Sequence, residues 1–590
     1  MAEAFNKLLN SDEPEKILFI DTHTPIKTKP ENINPPRAKE VETVLKEMKN
    51  YKACGEDQVF AEMWKYSGSS TQTSLHMVLQ KIWRSEKLPE QWTTAIINPI
   101  HKKGDRSNPD NYRGISILGS TYKIFSKILY NRIKEQLDQE LGEYQGGFRP
   151  WRSCAEQIIT LKLIMAYYRK RNKPLSITFI DFKKAYDSIH RPSLFKILRH
   201  FGLHPKLIKL IELTLTNTIS KIKFRGEISE PFMVTTGLRQ GDGLSPLLFN
   251  CALEYVMREW YRNNSKNIII GTKKDNIHLN CLGFADDLAL LANDIQETKQ
   301  QIKSLQEIAQ NIGLKISFEK TEIMLTQLPL ANKIKLGDQE IKIVEKFKYL
   351  GEVITYNLNE KPAWQNRIDK LVRAQHVTKN TYNKKCLSIA TKLKHYKTVT
   401  QPQITFASET LFKTTNTVAT DRILKLERRI VRTCLNKNYQ VNGVWRLASN
   451  ETVYKEIEPV TSTIKKKRIS FLGHLMRTPE NRISRKIIEK LWKSKSKINI
   501  RWISELKEDM RELHITLEDL KYKTDTIKIL KDKHTRLQTK INKQRIGRVI
   551  PETERKLRSE TMKKYWADKK KGKKIPSINL TKVVLCWPKN

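Results

Sequence analysis

CLGFADDLALLA, residues 281–292, decides how this chain is read, because two apolar runs flank the adjacent carboxylates Asp286 and Asp287. Short apolar runs around a brief polar break read as two strands joined by a tight turn. Neighbouring carboxylates repel, and a turn between buried strands is a costly place for them unless a cation neutralises the pair. A hard divalent ion such as Mg²⁺ is the matching one. A partner stands 105 residues before Asp286 in SITFIDFKKAYDSIH (176–190), where Asp181 ends the apolar run Ile177, Phe179, Ile180 and opens a turn. Three carboxylates at two strand ends can hold two Mg²⁺ ions, one activating a hydroxyl and one bracing a triphosphate and its leaving pyrophosphate. Asp187, close to the helix signal at Pro192, is expected to cap or to make a salt bridge.

Outward from this set the pattern is mixed. PRAKEVETVLKEMK (36–49) carries Val41, Val44, Leu45 and Met48 at offsets 0, 3, 4 and 7, which predicts an amphipathic helix with Pro36 in its first turn. A turn at Cys54-Gly55, a short helical pattern and a longer one at 73–87 follow. Ala95, Ile96, Ile97, Pro99 and Ile100 form a β-like run ending at Lys102-Lys103-Gly104-Asp105, and GISIL (114–118) answers it, so a hairpin with a basic tip is predicted. Helices are expected at 121–141, 155–171, 189–219 and 296–312, and strands at 232–235, 267–271, 278–284 and 288–291. A further helix should start with Ser245 as N-cap and Pro246 at its first position. Helices mixed with a few non-consecutive short strands favour an α+β fold over a doubly wound sheet. Beyond about 360 the pattern turns mostly helical and more basic.

The charge balance points the same way as the carboxylates. Subtracting 63 acidic from 109 basic side chains leaves +46 on 590 residues, and such a surface gains free energy on a polyanion by counterion release, so nucleic acid is the expected partner. Residues 521–576 hold 20 Lys or Arg against 6 Asp or Glu and end in KKYWADKKKGKKIP, which reads as a solvated tail, a nucleic-acid contact or a nuclear-import patch. Seven cysteines are scattered without CxxC or zinc-finger spacing, which argues against a disulfide framework or zinc knuckle. With no apolar run of signal-peptide or membrane-spanning length, the expectation is an intracellular protein, not secreted, with no membrane partner. The length predicts about three to five domains.

Seven motifs stand in one order: LPEQWTTAIINPIHKKGDRSNPDNYRGISIL (88–118), EYQGGFRPWRSCAEQI (143–158), FIDFKKAYDSI (179–189), GLRQGDGLSPLLFN (237–250), LGFADDLALLA (282–292), GLKISFEKTEIM (313–324) and FKYLGEVI (347–354). In this the chain resembles reverse transcriptases of the non-LTR retrotransposon type, close to the RTE and jockey-like groups. A weaker likeness runs through RRIVRTCL and RISFLGHLMR to about residue 480. The resemblance implies a right-hand polymerase, with fingers and palm at 83–354, a helical thumb at 360–480 and a basic C-terminal region at 481–590. Residues 1–82 form an N-terminal helical extension or linker beside the fingers. It also implies an open reading frame that lacks the endonuclease which precedes the polymerase in intact elements.

By the same resemblance Asp181, Asp286 and Asp287 are the catalytic and metal-binding acids, for Mg²⁺ or Mn²⁺ as its substitute. Tyr186 is the gate that collides with a ribonucleotide 2′-hydroxyl. Gln240 and Gly241 lie against the incoming nucleotide, glycine letting backbone approach a base closely. Arg113 with Lys103, or Lys102, grips the triphosphate, as fixed cations suit phosphate oxygens. Lys320 protonates the leaving pyrophosphate, and Tyr349, Leu350 and Gly351 form a primer grip. His474 is read as structural. The function implied is RNA-directed DNA polymerase activity that adds dNTPs to a primer 3′-end, with an RNA template and a DNA primer or target as partners and the nucleus as a plausible site. The rival from another class is a catalytically silent, element-derived nucleic-acid-binding protein or relic. An intron maturase or telomerase-like enzyme ranks third. Protein partners are not legible.

Overall fold

The computed structural model describes residues 1–522 apart from 11–13, 15–17, 19, 21–23, 265–267, 273–274, 328–331, 413–416, 436–437, 442–443 and 494–499. All but the first two residues of the basic stretch 521–576 therefore lie outside the described residues, as does the first residue of the strand expected at 267–271. The chain divides into two units, residues 1–359 with 480–500 and residues 360–479 with 501–590.

In the first unit α1 (Ala2–Leu9), α2 (Ala38–Glu47), α3 (Ala61–Lys65) and α4 (Ser69–Ser85) precede the first strands. Helix α2 buries Val41, Val44 and Leu45 as the spacing predicts. It starts after Arg37, however, so Pro36 lies ahead of its first turn. Strands β1 (Thr94–His101) and β2 (Tyr112–Ile117) pair antiparallel with Ile100 opposite Arg113, the predicted hairpin with Lys102 and Lys103 at its tip. Next come α5 (Ser120–Glu140) and α6 (Cys154–Lys170). Helix α5 buries Ile124, Phe125, Ile128, Leu129, Ile133 and Leu137, the stripe expected of a core-facing helix. Its Arg132 holds Glu40 at 2.7 Å and lies over the Trp83 ring, which fastens α2 and α4 to it.

Strand β3 (Ser176–Ile180) is buried at every position. The single helix expected over 189–219 is two, α7 (Arg191–His200) and α8 (Pro205–Leu215), and the stretch ends in β4 (Thr218–Phe224). Gly202 takes φ 74° and Pro205 disfavours helical backbone at His204, so an unbroken apolar period does not carry the helix across. After β5 (Glu227–Ile228) and β6 (Phe232–Val234), α9 (Ser245–Asn263) opens with Leu244 as N-cap, one residue before the expected Ser245. The Asp242 carboxylate accepts from the Leu244 backbone N–H at 3.2 Å and pins the chain there. The run expected at 278–284 is broken at Asn280: β7 (Ile268–Thr272) pairs with β8 (Asp275–Leu279), while β9 (Cys281–Phe284) pairs with β10 (Asp287–Ala292). Helix α10 (Ile295–Gln310) and strands β11 (Glu322–Leu325), β12 (Lys333–Leu336), β13 (Gln339–Ile343), β14 (Lys346–Tyr349) and β15 (Glu352–Thr355) follow.

Two sheets result. The first has order β2-β1-β4-β5, with β6 on β4, and its Ile97, Ile222 and Val234 take Phe5 and Leu9 of α1. The second has order β12-β13-β11-β3-β10-β9. Its middle strand β3 is covered on both faces: Thr298 of α10 donates to Ser176 at 2.8 Å, and on the alternate face Phe347 of β14 stacks on Phe179 at 3.9 Å. Burial on both faces explains why β3 and β10 read as near-continuous apolar runs. Each such aliphatic or aromatic side chain contributes about 1.5–3 kcal/mol. The mixture of these helices with two largely antiparallel sheets is the α+β class expected. The helix Ile483–Lys493 also belongs to this unit, through Ser484 donating to Glu156 at 2.6 Å.

The second unit is mostly helical, with a hairpin of Asn438–Val441 and Val444–Leu447. Its long helices Lys361–Asn383 and Thr417–Leu435 pack on one another. Buried Glu427 accepts from the Tyr396 hydroxyl at 2.7 Å and from Val460 N at 3.2 Å, joining three segments. His474 is half-buried near the end of the helix Val460–Met476.

Candidate active site

Strands β3 and β10 are antiparallel neighbours with Leu288 opposite Ile180. Asp287 and Asp181 each stand one residue beyond that pair, at the same end of the sheet. Asp287 also pairs with Phe284, which leaves Ala285 and Asp286 as the two-residue turn of the β9–β10 hairpin. Burial, then the charges of Asp286 and Asp181, pushes Asp287 up to about 6, although its side chain opens to solvent. Burial raises Asp286 too, with Asp181 adding to the shift and Arg113 and Lys102 opposing it. The three acids named from the sequence thus share one electrostatic neighbourhood.

Ala285 sits at φ 56°, a left-handed conformation that costs a residue with a Cβ about 1–2 kcal/mol. The segment Tyr144–Gly147 holds it there. Gln145 Oε1 accepts from Ala285 N at 2.7 Å and Gln145 Nε2 donates to Ala285 O at 3.2 Å. Gly283 N donates to Tyr144 O at 2.9 Å and Gly146 N to Gly283 O at 2.8 Å, so the segment meets β9 through one isolated parallel bridge at Gln145 and Gly283. A Cβ on Gly147 would fall on the Ala285 backbone nitrogen, so only glycine fits this approach. Arg149 anchors the segment, donating to Asp138 at 2.8 Å and to Gly142 O at 2.8 Å. Sequence reading placed QGG in a family motif without seeing this contact, because its partner lies 140 residues away.

Lys320 Nζ lies 3.8 Å from Asp181 Oδ2, both half-exposed. Such a pair is worth under about 1 kcal/mol and is cheaply exchanged for another anion. The lysine is brought there because Ser317 N donates to Asp181 O at 2.7 Å and Thr321 Oγ1 accepts from Asp181 N at 3.3 Å.

The hairpin tip supplies the other cations. Burial raises Asp286, Asp287 and Asp187, and the charge of Arg113 opposes the shift at all three. Burial, then Arg113 and Lys320, lowers Lys102, while Asp187 and Asp181 oppose the change. Of the two lysines left open by the sequence, Lys102 stands near enough to Asp187 and Asp181 to feel their charges. Successive residues of an extended chain point to opposite sides, and the backbone of Lys102 still continues the ladder by donating to Asn111 O at 2.8 Å.

Tyr186 stacks on Phe249 at 4.5 Å and meets the exposed Phe148 edge-on at 6.3 Å. Its hydroxyl is buried with no hydrogen-bond partner among the described residues. Gln240 O accepts from Ser116 N at 2.6 Å, and Gly241, at φ 129°, passes against Ser116 O. Buried Asp242, another residue the sequence reading did not single out, accepts from Tyr122 at 2.7 Å and from Ser126, stapling this loop to α5. Asp187 neither caps nor starts a helix: α7 takes His190 as N-cap. Its Oδ1 accepts from Gln240 Nε2 at 2.8 Å, and burial pushes it up to about 6.

Tyr349 lies in the core, 2% exposed, against Phe179. Leu350 (φ 47°) and Gly351 (φ 88°) form the two-residue turn between β14 and β15. Positive φ at both places is the hairpin turn that matches strand twist, and it strains the leucine.

The donor set is oxygen only, and two of its acids are held up by burial and mutual repulsion, which a hard divalent cation relieves. Among the described residues no three His, Cys, Asp or Glu side chains close into a cage. Mg²⁺ keeps several waters and is usually held by one or two carboxylates with substrate phosphates, so an open set fits it.

Residues 100–354 match the family described as "Reverse transcriptase (RNA-dependent DNA polymerase)". Over 275 residues the chain is 26% identical to the "Retrovirus-related Pol polyprotein from type-2 retrotransposable element R2DM" of Drosophila melanogaster, covering 45% of this chain and 25% of that one. Over 353 residues it is 25% identical to the "Probable RNA-directed DNA polymerase from transposon BS" of the same organism, covering 56% and 37%. An apo telomerase structure from Candida Tropicalis, at 14% identity, covers 51% of this chain and 63% of its own with a TM-score of 0.32. The chain thus spans well under half the length of these curated relatives. No helix among the described residues is long and apolar enough to cross a membrane. Over residues 100–354 the chain carries a reverse transcriptase domain, and the relatives to which it is similar are proteins of transposable elements.

Proposed function

We propose that the chain adds dNTPs to a DNA primer 3′-end on an RNA template. The observation that carries this is that Asp287 and Asp181 each stand one residue beyond the paired Leu288 and Ile180 at one sheet end, with Asp286 in the adjoining turn and Arg113, Lys102 and Lys320 nearby. Asp181, Asp286 and Asp287 would hold Mg²⁺, or Mn²⁺ in its place. When bound, this metal supplies charge neutralisation and activation of the primer hydroxyl.

In this reading the chain's own groups divide the remaining work. Arg113 and Lys102 bind the triphosphate oxygens. Lys320, already beside Asp181, gives a proton to departing pyrophosphate. The Tyr186 ring, wedged by Phe249, excludes a 2′-hydroxyl. Gln240 and Gly241, tied to β2, flank the nucleotide, and the Leu350–Gly351 turn supports the primer end. Residues 83–354 act as fingers and palm, 360–480 as thumb, and 481–590 as a basic nucleic-acid contact. With a DNA target, the site of action is the nucleus.

The test is primer extension by the purified chain on an RNA template with dNTPs, with and without Mg²⁺. Templated, metal-dependent products support the reading. RNA binding without extension supports the silent binding protein instead.

A further inference from the structure

Asp187 follows the gate residue Tyr186 at the end of the one-turn helix Ala185–Asp187. Its main chain is locked against the loop that carries Gln240. Leu238 N donates to Tyr186 O at 2.8 Å, Gly237 N to Ile189 O at 2.8 Å, and Thr236 Oγ1 to Asp187 O at 3.3 Å. A Cβ on Gly237 would fall on the Asp187 backbone, so the two segments approach as closely as backbone allows. Across this contact the Asp187 carboxylate takes the amide of Gln240 at 2.8 Å. Lys184, Lys102 and Arg113 all face this carboxylate, and Lys184 is itself held 2.8 Å from Asp110.

A glutamine amide can present either end, whereas an ionised carboxylate only accepts. Asp187 therefore fixes Nε2 of Gln240 towards itself and leaves the carbonyl end for whatever else the site holds. The Gln240 backbone is bound to Ser116 of β2, so its side chain is tied to the gate turn and its main chain to the hairpin that bears Arg113.

We propose that Asp187 is a positioning residue which sets the Gln240 amide against the incoming deoxynucleoside triphosphate, and is neither a helix cap nor a metal ligand. This rests on the polymerase reading above. The pair acts on nucleotide affinity, while the metal-holding acids act on the chemical step.

Two readouts separate the two claims. The first is primer extension on RNA. The second is the dNTP concentration that stabilises the protein bound to a dideoxy-terminated primer on RNA, which reads affinity without chemistry. D187L, which cannot accept, is expected to weaken dNTP affinity about tenfold or more and to raise KM accordingly with kcat within about threefold, the loss of one hydrogen bond to a charged group. D187N, whose Oδ1 still accepts, restores most of that affinity. D187L/Q240L is no weaker than either single variant, because the two act as one unit. Additive losses in the double variant, or a fall in kcat with dNTP affinity unchanged, would overturn the proposal while leaving the polymerase reading intact. A wild-type chain that neither extends nor retains dNTP overturns both.

Discussion

Gln145 grips Ala285 by both ends of its amide, accepting from the backbone N–H at 2.7 Å and donating to the carbonyl at 3.2 Å. The residue it holds is the strained one beside Asp286. Gln145→Leu leaves both backbone groups buried without partners, at about 1–3 kcal/mol each. The expected outcome is a loss of about 2–4 kcal/mol in denaturant unfolding and a fall in kcat of about tenfold or more, with RNA affinity unchanged. Gly147→Ala should be worse than Gln145→Leu, since its new methyl meets backbone rather than a movable side chain.

Tyr186→Ala removes the ring that Phe249 holds in place. Incorporation of rNTPs should rise relative to dNTPs, with total dNTP use falling less. The check is the ratio of incorporation efficiencies in the two proteins. An unchanged ratio in a folded variant would make Tyr186 a core residue.

Asp287 is held at about 6, above its unfolded value, so the folded state binds its proton more tightly than the unfolded chain does. Its contribution is therefore favourable below the unfolded value and is lost as pH rises through about 6. Without divalent metal, Asp287→Asn should melt higher than wild type at pH 7.5, and the difference should vanish near pH 4. Adding Mg²⁺ at pH 7.5 should raise the wild-type melting temperature and leave the variant nearly unmoved, because a ligand of the folded state alone stabilises it. Extension should decline as pH falls below about 6.

The basic stretch 521–576 carries 20 minus 6, or +14. Its deletion should flatten the salt dependence of RNA binding, by roughly 0.7–0.9 in log–log slope for each phosphate that the stretch neutralises. Turnover at saturating template should persist, and sequence selectivity should not change, because Lys and Arg on phosphate read charge and not bases. Identical slopes in a salt titration would make the stretch a solvated appendage.

The elements legible in the sequence are those whose signal is local. The β1–β2 hairpin, α5, α6 and the β9–β10 turn all follow from apolar period and turn residues, and Asp181 beside Asp286 and Asp287 follows from charge at strand ends. The helix across 189–219 failed because apolar period outweighed Gly202 and Pro205, both of which were visible punctuation. Gln145, Asp187 and Asp242 were out of reach for another reason. Their roles are hydrogen bonds across 140, 53 and 120 residues of chain, and nothing in the neighbouring sequence marks which amide or hydroxyl will arrive.

The central claim is that Asp181, Asp286 and Asp287 carry templated polymerisation. The most direct measurement is single-turnover extension of a DNA primer on RNA by wild type, Asp181→Asn, Asp286→Ala and Asp287→Ala, with RNA affinity measured on the same preparations. The account expects extension by wild type in Mg²⁺, its loss by about a thousandfold or more in each variant, and RNA affinity kept within about threefold, since binding rests on dispersed cations. Wild-type-like extension by any of the three variants, or none by a folded wild type that binds RNA, would contradict it.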